Sequence, residues 1–189
     1  TEHPEWITTD SPTQRIAKGL TKEFNSVSHL VPMLSLENSY NAEDLIEWDR
    51  KCKELSGQTD IEYCVEPKYD GAGISLIYDH DQLWRGATRG DGVQGDDITV
   101  NTRQIRSIPL RSLLSAHNIQ QIEIRGEVML TKKAFQAYNE KITAEGSAPL
   151  ANPRNAASGS LRIKDPAEVA KRGLDAFLYH ISHLTVLPE

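Results

Sequence analysis

Apolar residues recur along this chain with two periods, and the changes of period mark where helices give way to strands. From Asn41 onward, Leu45, Trp48, Cys52 and Leu55 return every three or four residues, the spacing of one helix face. Asn41 suits the N-cap, Glu43 and Asp44 complement the positive helix end, and Gly57 closes the segment. Trp48 and Cys52 are expected as core contacts. Between Ile61 and Thr88 the period is two: Ile61–Val65 and Gly73–Tyr78 read as strands, Asp79-His80-Asp81 as a turn, and Gln82–Thr88 as the returning strand. Gly86 is expected to admit a close neighbour, or else to mark a strand irregularity. Alternation resumes over Gln121–Leu130, with Ile122, Ile124 and Val128 on one face and Glu123, Arg125 and Glu127 on the other. Thr131 then caps a helix carrying Phe135, Tyr138 and Ile142 and closed by Gly146; Asp165-Pro166-Ala167-Glu168 starts another that Gly173 ends; Leu174–Leu184 reads as a last strand. The resulting fold class is α+β, with antiparallel sheets and flanking helices.

Three stretches fit neither period. Glu66-Pro67-Lys68-Tyr69-Asp70-Gly71 interrupts two strand-like runs and sets a lysine between two carboxylates, beside glycines that let another group approach the backbone. It could seat a nucleophilic amine, or be a surface turn in which Lys68 pairs with Glu66 or Asp70. Arg89-Gly90-Asp91-Gly92-Val93-Gln94-Gly95 is a glycine-rich turn, after which Asp96 and Asp97 open a short helix through Ile98 and Val100. Asn152–Arg162 combines asparagines, arginines and small residues without a hydrophobic face. Small side chains let backbone N–H groups close on an anion, and they equally suit a packing turn between helices.

Residues 1–30 have few periodic apolar positions and a turn signal at Asp10-Ser11-Pro12-Thr13, so they are expected to wrap the surface, with 31–189 as one structural unit. The chain of 189 residues, 38% hydrophobic and 25% charged, is ordinary for a soluble globular domain. Its apolar runs fall short of a membrane span, and no charged-then-apolar leader opens it. Cys52 and Cys64 lack metal-ligand spacing, which points to a reduced cytoplasmic setting and no metal site. A net charge of −6 argues against holding DNA by the overall field. Locally, Arg154, Arg162, Lys164, Lys171 and Arg172 outnumber Asp165 and Glu168, which makes either a solvated face or a patch for phosphates.

The lysine stretch resembles the Lys-x-Asp-Gly motif of covalent nucleotidyltransferases, which include DNA ligases, RNA ligases and mRNA capping enzymes. Pro32-Met33-Leu34-Ser35-Leu36, Ala87-Thr88-Arg89-Gly90-Asp91-Gly92, Arg125-Gly126-Glu127-Val128 and Asn152–Arg162 narrow the resemblance to the adenylation domain of bacterial NAD-dependent DNA ligases. It runs nearly end to end, with the motifs in family order.

The resemblance implies a fold in which AMP sits between two antiparallel sheets. It implies that Lys68 attacks the α-phosphorus of NAD and holds AMP as a phosphoramidate, that AMP passes to a 5′-phosphate, and that a nick in double-stranded DNA is sealed during replication and repair. By the same resemblance Asp70 orients the amine or aids later steps; Ser35, Leu36, Glu66, Arg89 and Glu127 bind the nucleotide; Arg154 and Arg162 contact phosphates of nicked DNA. Magnesium would be held mostly by substrate oxygens and water, and a monomer is expected. Glu37 stands where the family usually has Asp, and Tyr69 where leucine is frequent. The family's later lysine motifs, and the upstream domain that recognises nicotinamide mononucleotide, lie outside the given sequence, so it is expected to be truncated at both ends and weak or inactive alone. A non-catalytic nucleotide- or DNA-binding module of the same fold, a purely structural fragment and an ATP-dependent ligase are the alternatives; Asn152–Arg162 argues against the last.

Overall fold

The computed structural model describes residues 8, 11, 21 and 23–186. The expected surface course of residues 1–30 falls largely outside these, as does the turn at Asp10-Ser11-Pro12-Thr13 apart from Ser11. The chain forms two compact units, one of residues Leu34–Lys68 and one of Thr1–Met33 with Tyr69–Glu189.

In the smaller unit, helix α1 (Ala42–Ser56) starts where Asn41 Oδ1 accepts the Asp44 backbone N–H at 2.8 Å and stops at Gly57, whose φ of 68° is the left-handed conformation glycine tolerates. Trp48 meets the Tyr63 ring at 4.7 Å, and the Tyr63 hydroxyl donates to Asp49 Oδ1 at 2.8 Å. The expectation of core contacts at Trp48 and Cys52 does not hold: α1 buries no residue, Trp48 is exposed and Cys52 is half-buried. One helix beside an irregular segment cannot enclose a side chain. The strand expected over Ile61–Val65 is absent for a related reason: no ladder pairing involves these residues, and extended backbone without a partner is not a strand.

The larger unit runs in chain order through β1 (Ser26–Ser28), β2 (Ala72–Asp79), β3 (Gln82–Thr88), β4 (Gln94–Asp96), α2 (Thr99–Thr102), a 3₁₀ turn (Leu114–His117), β5 (Ile119–Met129), α3 (Lys132–Ala144), α4 (Pro153–Leu161), α5 (Pro166–Lys171) and β6 (Asp175–Val186). An antiparallel four-stranded sheet has the order β3-β2-β5-β6, and β1 pairs with β4 in a two-stranded sheet. The antiparallel α+β class expected from the hydrophobic periods is therefore the class observed. His80 and Asp81, with φ of 46° and 69°, make the β2–β3 turn, and two successive positive φ values suit the twist of a tight hairpin.

One face of the sheet carries the core. Ile74, Leu76 and Tyr78 of β2 join Ile122 and Val128 of β5, and Ile98, Ile105, Ile108, Leu161 and Val169 pack on them. Helix α4 does have a buried face, contrary to the sequence expectation: Ala156, Ala157, Ser160 and Leu161 are all buried. Small side chains let it approach the sheet closely, a face that hydrophobicity alone does not reveal. The opposite sheet face is polar. Across β2 and β5, Gly73 stands opposite Glu127, Ser75 opposite Arg125 and Ile77 opposite Glu123. Among the described residues no helix is long and apolar enough to cross a membrane.

Gly86 does admit a close neighbour: a Cβ there would lie 2.5 Å from Thr102 Oγ1, next to α2. Gly86→Ala should therefore destabilise the fold by about 1–3 kcal/mol, the usual range for overpacking, and Thr102→Ala should recover part of the loss. Thermal denaturation of the two single variants and the double variant checks this; an unchanged midpoint in Gly86→Ala would mean that α2 yields freely.

Candidate active site

The start of β2 gathers the polar groups of the larger unit. The backbone N–H of Gly71 donates to Glu127 Oε1 at 3.1 Å, which ties the residue after Asp70 to the sheet. Only glycine fits here, because a Cβ would fall 2.2 Å from the Val128 carbonyl oxygen. Two residues on, the Gly73 carbonyl accepts the Arg89 backbone N–H at 3.1 Å. A Cβ at Gly73 would lie 3.6 Å from Arg89 Cβ and 3.7 Å from Glu127 Oε2, so these two side chains flank a bare stretch of backbone. Tyr69 stacks on Phe177 of β6 at 4.2 Å, and Phe177 pairs with Glu127 in the ladder. Asp70 Oδ1 and Arg154 Nη1 form an ion pair at 3.0 Å, exposed on both sides.

The turn after β3 is built to hold a shape. Gly90 and Gly92 have φ of 58° and 94°, and between them Asp91 Oδ1 accepts the N–H groups of Val93 at 2.9 Å and Gln94 at 2.8 Å. Those N–H donors, Gln94 first and then Val93, keep the Asp91 carboxyl below its ordinary value. Beside the turn opens a cleft of about 370 Å³ whose lining includes Gly73, Thr88, Arg89, Asp96, Ser158 and Arg162. Arg162 Nε pairs with Asp96 Oδ2 at 2.9 Å.

Of the residues singled out from sequence, Asp70, Arg89, Glu127 and Arg154 thus cluster around the start of β2, and Arg162 shares a cleft with Arg89. Ser35, Leu36, Glu66 and Lys68 belong to the smaller unit, where all four are exposed and Lys68 is the last residue. Sequence reasoning assigns no role to His29, Glu123 or Asp96; Asp96, expected to open a helix, instead ends β4, and α2 starts at Thr99. His29 sits in a stretch without periodic signal. Glu123 shares a strand face with Arg125 and Glu127, and three charges on one face of an inner strand were the available sign that something polar covers it.

Antiparallel sheets with an arginine and a glutamate flanking bare glycine backbone make a domain of the α+β class with a polar site at one strand end. The sequence model of the family described as NAD-dependent DNA ligase adenylation domain matches residues 21–188, and the chain belongs to that family. Curated relatives named DNA ligase include those of Persephonella marina (61% identical over 180 residues, 95% of this chain and 25% of the relative), Sulfurihydrogenibium azorense (57% over 182 residues, 96% and 26%) and Aquifex aeolicus (52% over 183 residues, 97% and 25%). The chain spans about a quarter of the length of these relatives.

The Asp91 turn has a pH signature. A carboxyl whose folded value is depressed contributes stability above its unfolded value of about 3.9, and that contribution is lost as pH falls through the lower folded value. Asp91→Asn should lower the thermal midpoint at neutral pH, and the gap to wild type should close below about pH 4. Midpoints measured from pH 7 down to 2.5 test this; a gap independent of pH would show that the carboxylate charge is not what holds the turn.

Proposed function

We propose that this chain is the part of a DNA ligase that takes AMP from NAD onto Lys68 and delivers it to the 5′-phosphate of a nick in double-stranded DNA, as in replication and repair. What supports the reading most is the arrangement at the start of β2, where Arg89 and Glu127 flank the backbone at Gly73 and Glu127 is tied to Gly71, three residues after Lys68. An ammonium has no lone pair, so Lys68 must first give up a proton; its Nζ then forms a bond to the α-phosphorus while the bond from phosphorus to the departing nicotinamide mononucleotide oxygen breaks. Glu127 would accept hydrogen bonds from ribose hydroxyls, and Arg89 would donate to a ribose or phosphate oxygen. Glu66, Ser35 and Leu36 would line the adenosine side, and Asp70 would orient the amine or assist the later transfers. The second transfer breaks the Nζ–phosphorus bond as a DNA 5′-phosphate oxygen attacks. In the third, the 3′-hydroxyl attacks that 5′-phosphate and AMP departs.

Magnesium would be held mostly by phosphate oxygens of the nucleotide and by water. Its part would be to offset charge on the transferring phosphoryl group. The chain would work as a monomer in the cytoplasm, on DNA held jointly with the remainder of a longer ligase.

The direct test is intact mass after incubation with NAD and magnesium, using a ligase of the relatives' length that contains this domain. Wild type should gain AMP; Lys68→Ala and Lys68→Arg should not, since a guanidinium stays protonated at neutral pH. A full adduct on either variant would move the nucleophile elsewhere, and nucleotide binding without any wild-type adduct would make the chain a binding module. The DNA role has its own test. Arg154→Ala and Arg162→Ala should each lower the salt slope of nicked-DNA binding by about 0.9, the value for one phosphate contact. A slope equal to wild type in both would return these arginines to their carboxylate partners.

A further inference from the structure

Residues 28–33 form a strap over the polar face of the sheet, held by charged and backbone groups throughout. Arg85 Nη2 donates to the Ser28 carbonyl at 2.8 Å, and Arg125 Nη2 donates to the Val31 carbonyl at 2.6 Å. The strap also grips the glycine-rich turn: the His29 N–H donates to the Val93 carbonyl at 3.0 Å, and the Met33 N–H to the Gly92 carbonyl at 2.7 Å. One side chain continues that grip. His29 Nε2 lies 3.0 Å from the carbonyl oxygen of Arg89, and its Nδ1 lies 3.9 Å from Glu123 Oε1. Both side chains are shut away from water, His29 at 1% exposure and Glu123 at 0%. Ser75 Oγ donates to the same Glu123 oxygen, whereas Oε2 has no hydrogen-bond partner among the described residues.

Two pieces of chemistry set what this arrangement does. A carbonyl oxygen only accepts, so the contact with Arg89 is a hydrogen bond in the tautomer that carries its hydrogen on Nε2. Glu123 Oε1, 3.9 Å from Nδ1, lies beyond hydrogen-bond reach and bounds the ring on its other side. Burying Glu123 with one oxygen lacking a hydrogen bond is costly, and an apolar residue would fill the space without that cost. The buried acid is therefore hard to explain by packing alone, and what it faces is the ring that holds Arg89.

We propose that His29, backed by Glu123, is a positioning residue for Arg89: it anchors the Arg89 backbone so that the guanidinium meets a nucleotide oxygen in a fixed direction. The inference rests on the reading of Arg89 as a nucleotide contact given above. It assigns to the strap and to two buried side chains a part in nucleotide binding that neither plays by touching the nucleotide.

The experiment is calorimetric titration of AMP into the 189-residue chain, for wild type, His29→Asn, His29→Gln, Arg89→Ala and the His29→Asn/Arg89→Ala double variant. His29→Asn keeps a polar group near Nδ1 but cannot reach the Arg89 carbonyl, and should weaken AMP binding on the order of tenfold, as for one lost hydrogen bond. His29→Gln places an amide N–H near the Nε2 position and should stay within about threefold of wild type. In the Arg89→Ala background, His29→Asn should cost nothing further, because the guanidinium it positions is gone. Equal losses from His29→Asn in both backgrounds would overturn the proposal, leaving His29 a structural residue, and so would a His29→Gln variant as weak as His29→Asn. If His29→Asn fails to fold, Glu123→Gln, which preserves shape, takes its place in the same cycle: a loss that vanishes with Arg89→Ala supports the proposal and one that persists overturns it. Failure of the underlying reading looks different. No AMP binding by wild type, or Arg89→Ala binding as tightly as wild type, overturns the site assignment and the positioning role with it.

Discussion

The antiparallel register between β2 and β5 is the constraint on which the larger unit depends. It sets Gly73 opposite Glu127, Ser75 opposite Arg125 and Ile77 opposite Glu123, while Ile74, Leu76 and Tyr78 turn to the core. Side chains alternate strictly along a strand, so a slip of one residue would drive the charged set into the hydrophobic core and expose the apolar set. The penalty for burying even one of those charges unpaired amounts to several kcal/mol, comparable with the stability of a whole domain. The register is thus strongly enforced. Because Gly71 stands one residue before β2, it also fixes where the chain emerging from Tyr69 and Asp70 meets Glu127.

That polar face needs a cover, and the segment preceding Leu34 supplies it. Arg85 and Arg125 bond to its carbonyls, and His29 reaches from it to Glu123 and to the Arg89 carbonyl. The hydrogen bonds that hold the strap give the face its geometry, and burying charge beneath it carries a desolvation cost that surface ion pairs avoid. The glycine-rich turn inherits this rigidity from two directions: Asp91 ties its tip internally, and the strap ties it to the sheet. A loop so braced can carry a side chain whose direction matters.

How much of this could be read in the sequence depended on whether the signal was local. The Asn41 cap, the Gly57 stop and the β3 span Gln82–Thr88 each rest on a few neighbouring residues and stand as expected, and the turn expected over Asp79–Asp81 is found at His80-Asp81, with Asp79 ending β2. Gly86 was legible as a close approach, though not as an approach by Thr102. Where a reading needed a partner far along the chain, it failed or was incomplete. Ile61–Val65 has the composition of a strand and no strand beside it. Trp48 has the spacing of a core residue in a unit too small to have a core. Helix α4 hides its buried face in alanines and a serine, which score as neutral until the sheet beneath them is known. The pairing of His29 with Glu123 spans more than ninety positions, and no periodicity announces it.

The arginine–carboxylate pairs nearer the surface, Arg154 with Asp70 exposed on both sides and Arg162 exposed against a half-buried Asp96, are to be weighed against the contact of His29 with Glu123 rather than added to it. An exposed pair contributes about 0–1 kcal/mol, since the Coulomb gain is screened and two long side chains lose freedom. As stability these pairs matter little. As orientation they matter more, because a guanidinium already held by one carboxylate presents its remaining N–H groups in a definite direction. A phosphate competing for such an arginine displaces a partner worth no more than that small sum, and the charge-assisted bonds it forms are stronger than neutral ones. Weakly paired arginines at the surface and a tightly braced arginine at the glycine turn are therefore complementary solutions: the first can change partners as a substrate arrives and leaves, and the second must not move.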